Sequence, residues 1–275
     1  MGARTLFGRR VIYADVTEIN DSNIIDVLQK ALFTHLMNQA DINYLYRYYK
    51  GDQPILYRKK DVRPEINNKV VENRANEIVS FKVGYLMGEP VQYVSRKDDK
   101  GIAEAVTRLN DYTLSEDKPS EDAELAEWWH ICGTSYRMVL PDGEADLEED
   151  EAPFEIYTLD PRFAFVVYST ALGNPPIMGV KYVLKDDGVL VFSCYTDDHF
   201  YEVENTWAIR RSEEQYLGIP IIEYPANKSR LGAFEIVLPL LDAINTTESN
   251  RIDGVEQFIQ SLMPVSYTHL TLPTN

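Results

Sequence analysis

From Ile24 to Leu36 the apolar positions Ile24, Ile25, Val27, Leu28, Leu32 and Leu36 follow a spacing of three and four, the repeat of an amphipathic helix. Asp21 or Ser22 stands where an N-cap belongs, and this helix is expected to run to about Gln39. A second helical piece, Ala40 to Lys50, carries Tyr44, Tyr48 and Tyr49 and stops at Gly51 and Asp52, a turn signal. Gln53 to Pro64 reads as an extended loop. Between Asn67 and Met87 the pattern Val70, Val71, Ala75, Ile78, Val79, Val83, Leu86 again has helical period, ended by Gly88 and Pro90. Val91 and Tyr93 then suggest a short strand. Two further helices are predicted over Gly101 to Leu114 and over Ser120 to Ile131, the latter with Glu121 and Asp122 in its first turn.

After Gly133 the period changes to two. Tyr136, Met138 and Leu140 alternate with other residues, followed by Phe154, Ile156, Tyr157 and Leu159 and then by Phe163, Phe165 and Val167. Further strands are expected at 177–184, 189–195, 200–203 and 206–210. Asp186, Asp187 and Gly188, and then Asp197 and Asp198, separate them as turn formers, so antiparallel hairpins follow. From Phe234 the helical period returns. Leu241, Ile244, Val255, Phe258, Ile259 and Leu262 form one stripe, interrupted by polar residues from Thr246 to Arg251. Pro239 fits its first turn or a kink, Gly254 weakens it by about 1 kcal/mol, and Pro264 is expected to end it. The stretch Pro239 to Met263 would span roughly 37 Å at about 1.5 Å per residue. The pattern as a whole predicts an α+β fold with a helical first half, an antiparallel or mixed sheet in the second half, and one long helix at the end.

Composition narrows the function. The 275 residues are 44% hydrophobic, enough for a substantial core, and 26% charged, with a formal net charge of -17. Such an acidic chain is unsuited to gripping nucleic acid, which needs clustered Lys and Arg. Its densest basic cluster, Arg58, Lys59, Lys60 and Arg63, reads as a solvated loop rather than a phosphate site. Cys132 and Cys194 are far apart and form no CxxC; core thiols in a reducing cytosol are expected. No segment reaches the ~18 apolar residues of a membrane span, and Leu6 stands where a myristoylation signal needs Ser or Thr.

Chemical motifs are sparse. GxxxxGK[ST], GxGxxG after a strand and HExxH are all absent. Gly133 to Arg137 lacks the second glycine of a nucleophile elbow, which leaves Ser135 on a plain strand. The most metal-like constellation, Asp197, Asp198 and His199, is better read as a polar hairpin turn, since Asp is a standard turn former. Seven acids between Asp142 and Glu151 read as a solvated hairpin loop. Gly84 and Gly88 allow close helix approach but sit where the helix ends. No catalytic, metal or cofactor site is assigned.

Several phrases stand in a definite order: YYKGDQPIL (48–56), NRANEIVSFKVGYLMGEPV (73–91), GTSY (133–136), DPR (160–162), GIPIIEYP (218–225) with Asn227, and LLDAIN (240–245) leading to Ser249. Over about Asn20 to Leu262 they resemble the portal family of long-tailed phages that infect Gram-positive bacteria, KVGYLMGEP being the most specific. The resemblance implies an N-terminal arm (1–19), a portal wing domain (20–232) and a first stem helix (233–264). Clip, second stem helix, tunnel loop and crown would be missing. The final SYTHLTLPTN continues no earlier period; residues 265–275 read as a non-native read-through tail, with a native Thr-rich strand as the alternative.

What the resemblance further implies is a structural, non-enzymatic subunit of a usually dodecameric ring at one capsid vertex, a virion component assembled in the host cytoplasm. Its implied partners are its own copies, the terminase large subunit, head-completion and connector proteins, capsid and scaffolding proteins, and double-stranded DNA passing without sequence-specific contact; no membrane is involved. On this reading Leu241, Ile244, Val255, Phe258 and Ile259 pack the stem helix on its own wing and on neighbouring subunits, while Asn245 to Asp253 face polar surroundings. The fragment, lacking clip and crown, is expected to be monomeric or aggregation-prone. Two other readings stay open: a metal-dependent enzyme using the acidic loop with Asp197 to His199, and a head adaptor or binding module that is not a portal.

Overall fold

In a computed structural model, which describes residues 8–96, 100–143, 145, 151–215 and 217–268 with side chains as far as Ile259, helix α1 (Ile24–Tyr49) is a single rod of 26 residues. The expected break at Gln39 does not occur. Asn23, rather than Asp21 or Ser22, is the N-cap residue; its side chain accepts from Asn20 N and donates to Glu18 O, bracing the preceding turn. The rod joins two separate cores. Ile24, Val27, Leu28 and Ala31 lie in one, with the large sheet; Ile42, Tyr44, Leu45, Tyr48 and Tyr49 lie in the other, with helices. Each fully buried Leu, Ile or Phe in these clusters contributes about 1.5–3 kcal/mol of apolar burial.

Helices α2 (Arg74–Met87), α3 (Lys100–Ser115) and α4 (Lys118–Cys132) complete the helical half. Two strands occupy the expected hairpin positions around the acidic segment, β2 (Thr134–Pro141) and β3 (Phe154–Leu159), and half of the residues between them lie outside those described. They are followed by β4 (Ala164–Ser169), β5 (Pro176–Leu184), β6 (Leu190–Tyr195), β7 (His199–Glu204) and β8 (Ile209–Glu214). Two strands escaped the periodicity. β1 (Ile12–Ala14) pairs parallel with β4, and β9 (Ile221–Pro225) pairs antiparallel with β2. The result is a six-stranded sheet in the order β1-β4-β5-β6-β7-β8 and a three-stranded sheet in the order β3-β2-β9. Helices and sheets are segregated along the chain, an α+β fold that closes on the long helix α5 (Leu238–Thr268).

Four expectations need correction. Residues 67–73 are extended, and α2 starts only at Arg74, because Asn73 caps it by accepting from Asn76 N. Val91 and Tyr93 form no paired strand; Asn110 takes both the N–H and the C=O of Tyr93 through its side-chain amide, at 2.9 Å each. The helix expected from Ser120 begins at Lys118, with Pro119 in its first turn, where the missing N–H is not needed. Pro264 does not end α5, which continues to Thr268; an interior proline removes one hydrogen bond and need not stop a helix. Residues 269–275 of the suspected tail lie outside the described residues.

Between the two cores α1 carries a polar belt. Asn38 clamps the N-terminal segment, accepting from Arg10 N at 2.9 Å and donating to Arg10 O at 2.8 Å. His35 is buried, stacked on Phe165 with ring centroids 4.5 Å apart, its Nε2 3.1 Å from both Tyr182 Oη and Arg162 O. Arg162, of the DPR phrase, is held by Asp160 and lies over the Tyr46 ring at 4.5 Å. Burial holds the His35 imidazole down at about 4, against an ordinary value of 6.5.

The sign of this shift makes a prediction. The unfolded chain takes up a proton at His35 near pH 6.5 that the folded chain refuses until about pH 4, so the associated stability is complete above pH 6.5 and falls as the pH drops through that window. The loss is about 3 kcal/mol at most. Urea unfolding at pH 7 and pH 4.5 is expected to show a smaller pH dependence for His35→Gln than for the parent chain; equal slopes would mean that His35 does not titrate in this way.

Candidate assembly surface

The YYKG, NRAN and LLDAIN phrases are far apart in sequence and meet at one seam, where the extended stretch 67–73 lies antiparallel along α5. Asn68 N donates to Asp253 Oδ1 at 2.8 Å, Val70 N to Ser249 Oγ at 3.0 Å, and Glu72 N to Asn245 Oδ1 at 2.8 Å. Every second residue of the strap therefore meets every fourth residue of the helix. The match is geometric: two residues of extended chain advance about 6.6 Å, and four residues of helix about 6.0 Å. Over two steps the mismatch is about 1 Å, which side chains of different length absorb.

At one end of the seam Asn245 also donates to Gln53 Oε1 at 2.5 Å. Gln53 is buried, and its amide nitrogen donates to Tyr48 O and to Asn73 Oδ1. Asn73 in turn donates to Tyr49 O at 2.8 Å while it caps α2. Three amides thus tie α5, the end of α1 and the start of α2 with their hydrogen bonds satisfied. Nearby, Tyr48 Oη donates to Asp242 Oδ1 at 2.9 Å.

The other end is ionic. The Asp253 carboxylate accepts from Arg58 Nη2 at 2.5 Å, from Lys60 Nζ, and from both the backbone and the side chain of Asn68. Burial alone would raise its pKa; hydrogen bonds from Lys60, Asn68 and Arg58 outweigh this and hold the carboxyl well below the usual carboxylate range. The Arg58 to Arg63 stretch is therefore not simply a solvated loop. Arg58 and Lys60 neutralise a carboxylate that has almost no access to water, and Arg58 also reaches Asn250 Oδ1 at 2.8 Å.

This docking turns one polar face of α5 inward. Asn245, Ser249 and Asp253, expected in polar surroundings, are 0%, 0% and 2% exposed. Of the residues named for packing, Leu241 is buried in the helical core and Ile244 packs partly against it, while Val255, Phe258 and Ile259 are 57%, 62% and 60% exposed. At about 100° per residue the apolar stripe stands about 130° around the helix from the seam. A second exposed apolar face lies on α2, where Phe81 and Tyr85 stack at 6.3 Å with 72% and 80% exposure.

The remaining sequence candidates lie away from this seam. Asp197, Asp198 and His199 form the β6–β7 turn, with Thr196 N donating to His199 O and His199 Nδ1 3.1 Å from Asp198 Oδ1. They border a polar cleft of about 830 Å³ with Glu18 and Asp21. Ser135 is buried on β2. Cys132 and Cys194 are free, buried thiols; burial pushes Cys132 up to about 12, leaving almost no thiolate near neutral pH. Among the described residues no group of three or more His, Cys, Asp and Glu is arranged to hold a metal, and no helix is long and apolar enough to cross a membrane.

Sequence reading missed Gln53, Asn73, Ser249 and Asp253 as a docking set. On α5 the signal, Asn245, Ser249 and Asp253 at every fourth position, is masked by the polar run from Thr246 to Arg251. Asp253→Ala would leave Arg58 and Lys60 without their buried carboxylate, and a loss of about 3 kcal/mol is expected. Hydrogen exchange should show the amides of Asn68, Val70 and Glu72 losing protection first; unchanged protection there would remove Asp253 from the seam's support.

Compared with known proteins, the chain matches the family described as phage portal protein, SPP1 Gp6-like, over residues 29–266. No curated protein matches it.

Proposed function

The chain belongs to the SPP1 Gp6-like phage portal proteins, a structural family, and we propose that it serves as one subunit of a homo-oligomeric ring at a capsid vertex. Double-stranded DNA would pass through that ring during packaging and ejection. The observation that carries this reading is the family match across 29–266, which takes in both the α+β body and nearly all of α5.

Residues 20–232 form the wing in this proposal, and 233–264 the first stem helix. The polar seam supports that division, because it gives the helix one fixed rotation against the body through named hydrogen bonds. The ring would dock the terminase large subunit, the packaging motor, and later the head-completion and connector proteins, surrounded by capsid and scaffolding proteins. Chemistry is left to the terminase. DNA would slide and not be gripped: with a net charge of -17, like-charge repulsion acts within a Debye length of about 8 Å at physiological salt.

Mass photometry of the purified full-length gene product is expected to give one dominant species near the mass of a dodecamer. A protein that stays monomeric at micromolar concentration, or that hydrolyses ATP without terminase, would overturn the proposal.

A further inference from the structure

Given the ring reading, on which this step rests, we infer that the exposed face of α2 in one copy receives the exposed stripe of α5 from the next copy. A ring of more than two subunits is closed by heterologous contacts, so each subunit must present two different, complementary surfaces. Among the described residues α2 and α5 each carry an exposed apolar face, besides the Phe33, Leu36 and Met37 patch on α1. On α2, Phe81 and Tyr85 stand about 140° around the helix from Val79, which is buried in the helical core. On α5, Val255 and Ile259 are turned away from the seam that fixes Asn245, Ser249 and Asp253. Neither face can fold back on its own core, since the opposite side of each helix is already anchored there.

Glycines point to the same pairing. Gly84 lies inside α2 beside Phe81, and Gly254 inside α5 beside Phe258; a Cβ at either would meet nothing within 4 Å. Neither has a positive φ. Glycine is the least favourable residue for a helix interior after proline, and here the subunit itself gives no reason for it. A second helix approaching closely supplies one, because a missing side chain lets two backbones draw together.

Electrostatics and area favour a second copy as the occupant. Two chains of charge -17 repel, so contact is favoured where net charge is low. From Phe81 to Gly88 the only charged residue on α2 is Lys82; near the α5 stripe Asp253 is neutralised by Arg58 and Lys60, and Glu256 accepts from Asn68. The large exposed apolar side chains on each face present on the order of 300 Å², taking a whole aromatic as about 150–250 Å². Together that is about 600 Å² of apolar surface, an apolar centre that flanking polar residues would extend toward the roughly 1,000 Å² at which specific interfaces begin.

The test uses full-length rings and native mass spectrometry at fixed concentration. Tyr85→Lys and Val255→Glu are each expected to cut the ring population at least tenfold, with subunit melting unchanged because both side chains are exposed; the double variant, which sets Lys against Glu across the interface, is expected to restore it. Gly84→Ala should melt no lower than the parent yet form fewer rings. Single variants that assemble normally, or a double variant no better than its parents, would show that these two faces do not meet. Failure of the parent chain to form rings would instead overturn the ring reading itself.

Discussion

The rotation of α5 about its own axis is the constraint on which the rest of the molecule's presentation depends, and polar contacts set it. An extended strap offers an N–H about every 6.6 Å, and a helix offers a side chain on one face about every 6.0 Å. With acceptors at Asn245, Ser249 and Asp253 the two repeats run in step. Sliding the helix by one turn would put Ser249 opposite Asn68 and leave the Asp253 carboxylate away from Arg58 and Lys60. An apolar seam would tolerate such a slip, because hydrophobic contact is non-directional. Buried hydrogen bonds do not, since each unmet partner carries a desolvation penalty of about 1–3 kcal/mol.

The seam also explains why two cores can serve one body. α1 runs through both, and its polar belt at His35 and Asn38 falls where the sheet core ends and the helical core begins. The last turn of α1 then delivers Tyr48 and Tyr49 to the seam, where their carbonyls accept from Gln53 and Asn73. Distortion at the strap is thereby passed to the ends of α1, α2 and α5 together. The family match includes every one of these residues.

Much of this was legible in the sequence, and the errors have physical causes. The change of period at Gly133 marks the passage from helices to sheet, and seven strands overlap their expected positions, although β4 is buried almost throughout and β8 is exposed throughout. β1 is three residues long and pairs in parallel with a strand more than 150 residues away, so no local pattern can reveal it. The 67–73 strap carries Val70 and Val71 at spacings that fit a helix, but Asn73 caps α2 by accepting from Asn76 N and fixes the boundary there. The stripe on α5 is divided, Leu241 buried in the helical core and Val255, Phe258 and Ile259 exposed; what the reading missed is that Asn245, Ser249 and Asp253 are buried in the seam. Periodicity identifies which residues share a face; it does not say whether that face or a polar one is turned inward, and here the donors of the strap decide.

The same ion pairs shape the outer surface. Arg9 on Glu235, Arg137 and Lys118 on Asp122, Arg230 on Glu223, and Arg58 and Lys60 on Asp253 are all largely buried. Each uses positive charge to neutralise a carboxylate inside the fold. A chain with 27 basic and 44 acidic residues that spends basic groups in this way presents a surface more acidic than the ratio alone suggests. In the proposed conduit that bias has a direct consequence. Guanidinium and ammonium groups held on interior carboxylates are not available to phosphates, so folding itself withdraws some of the groups by which the ring could hold DNA.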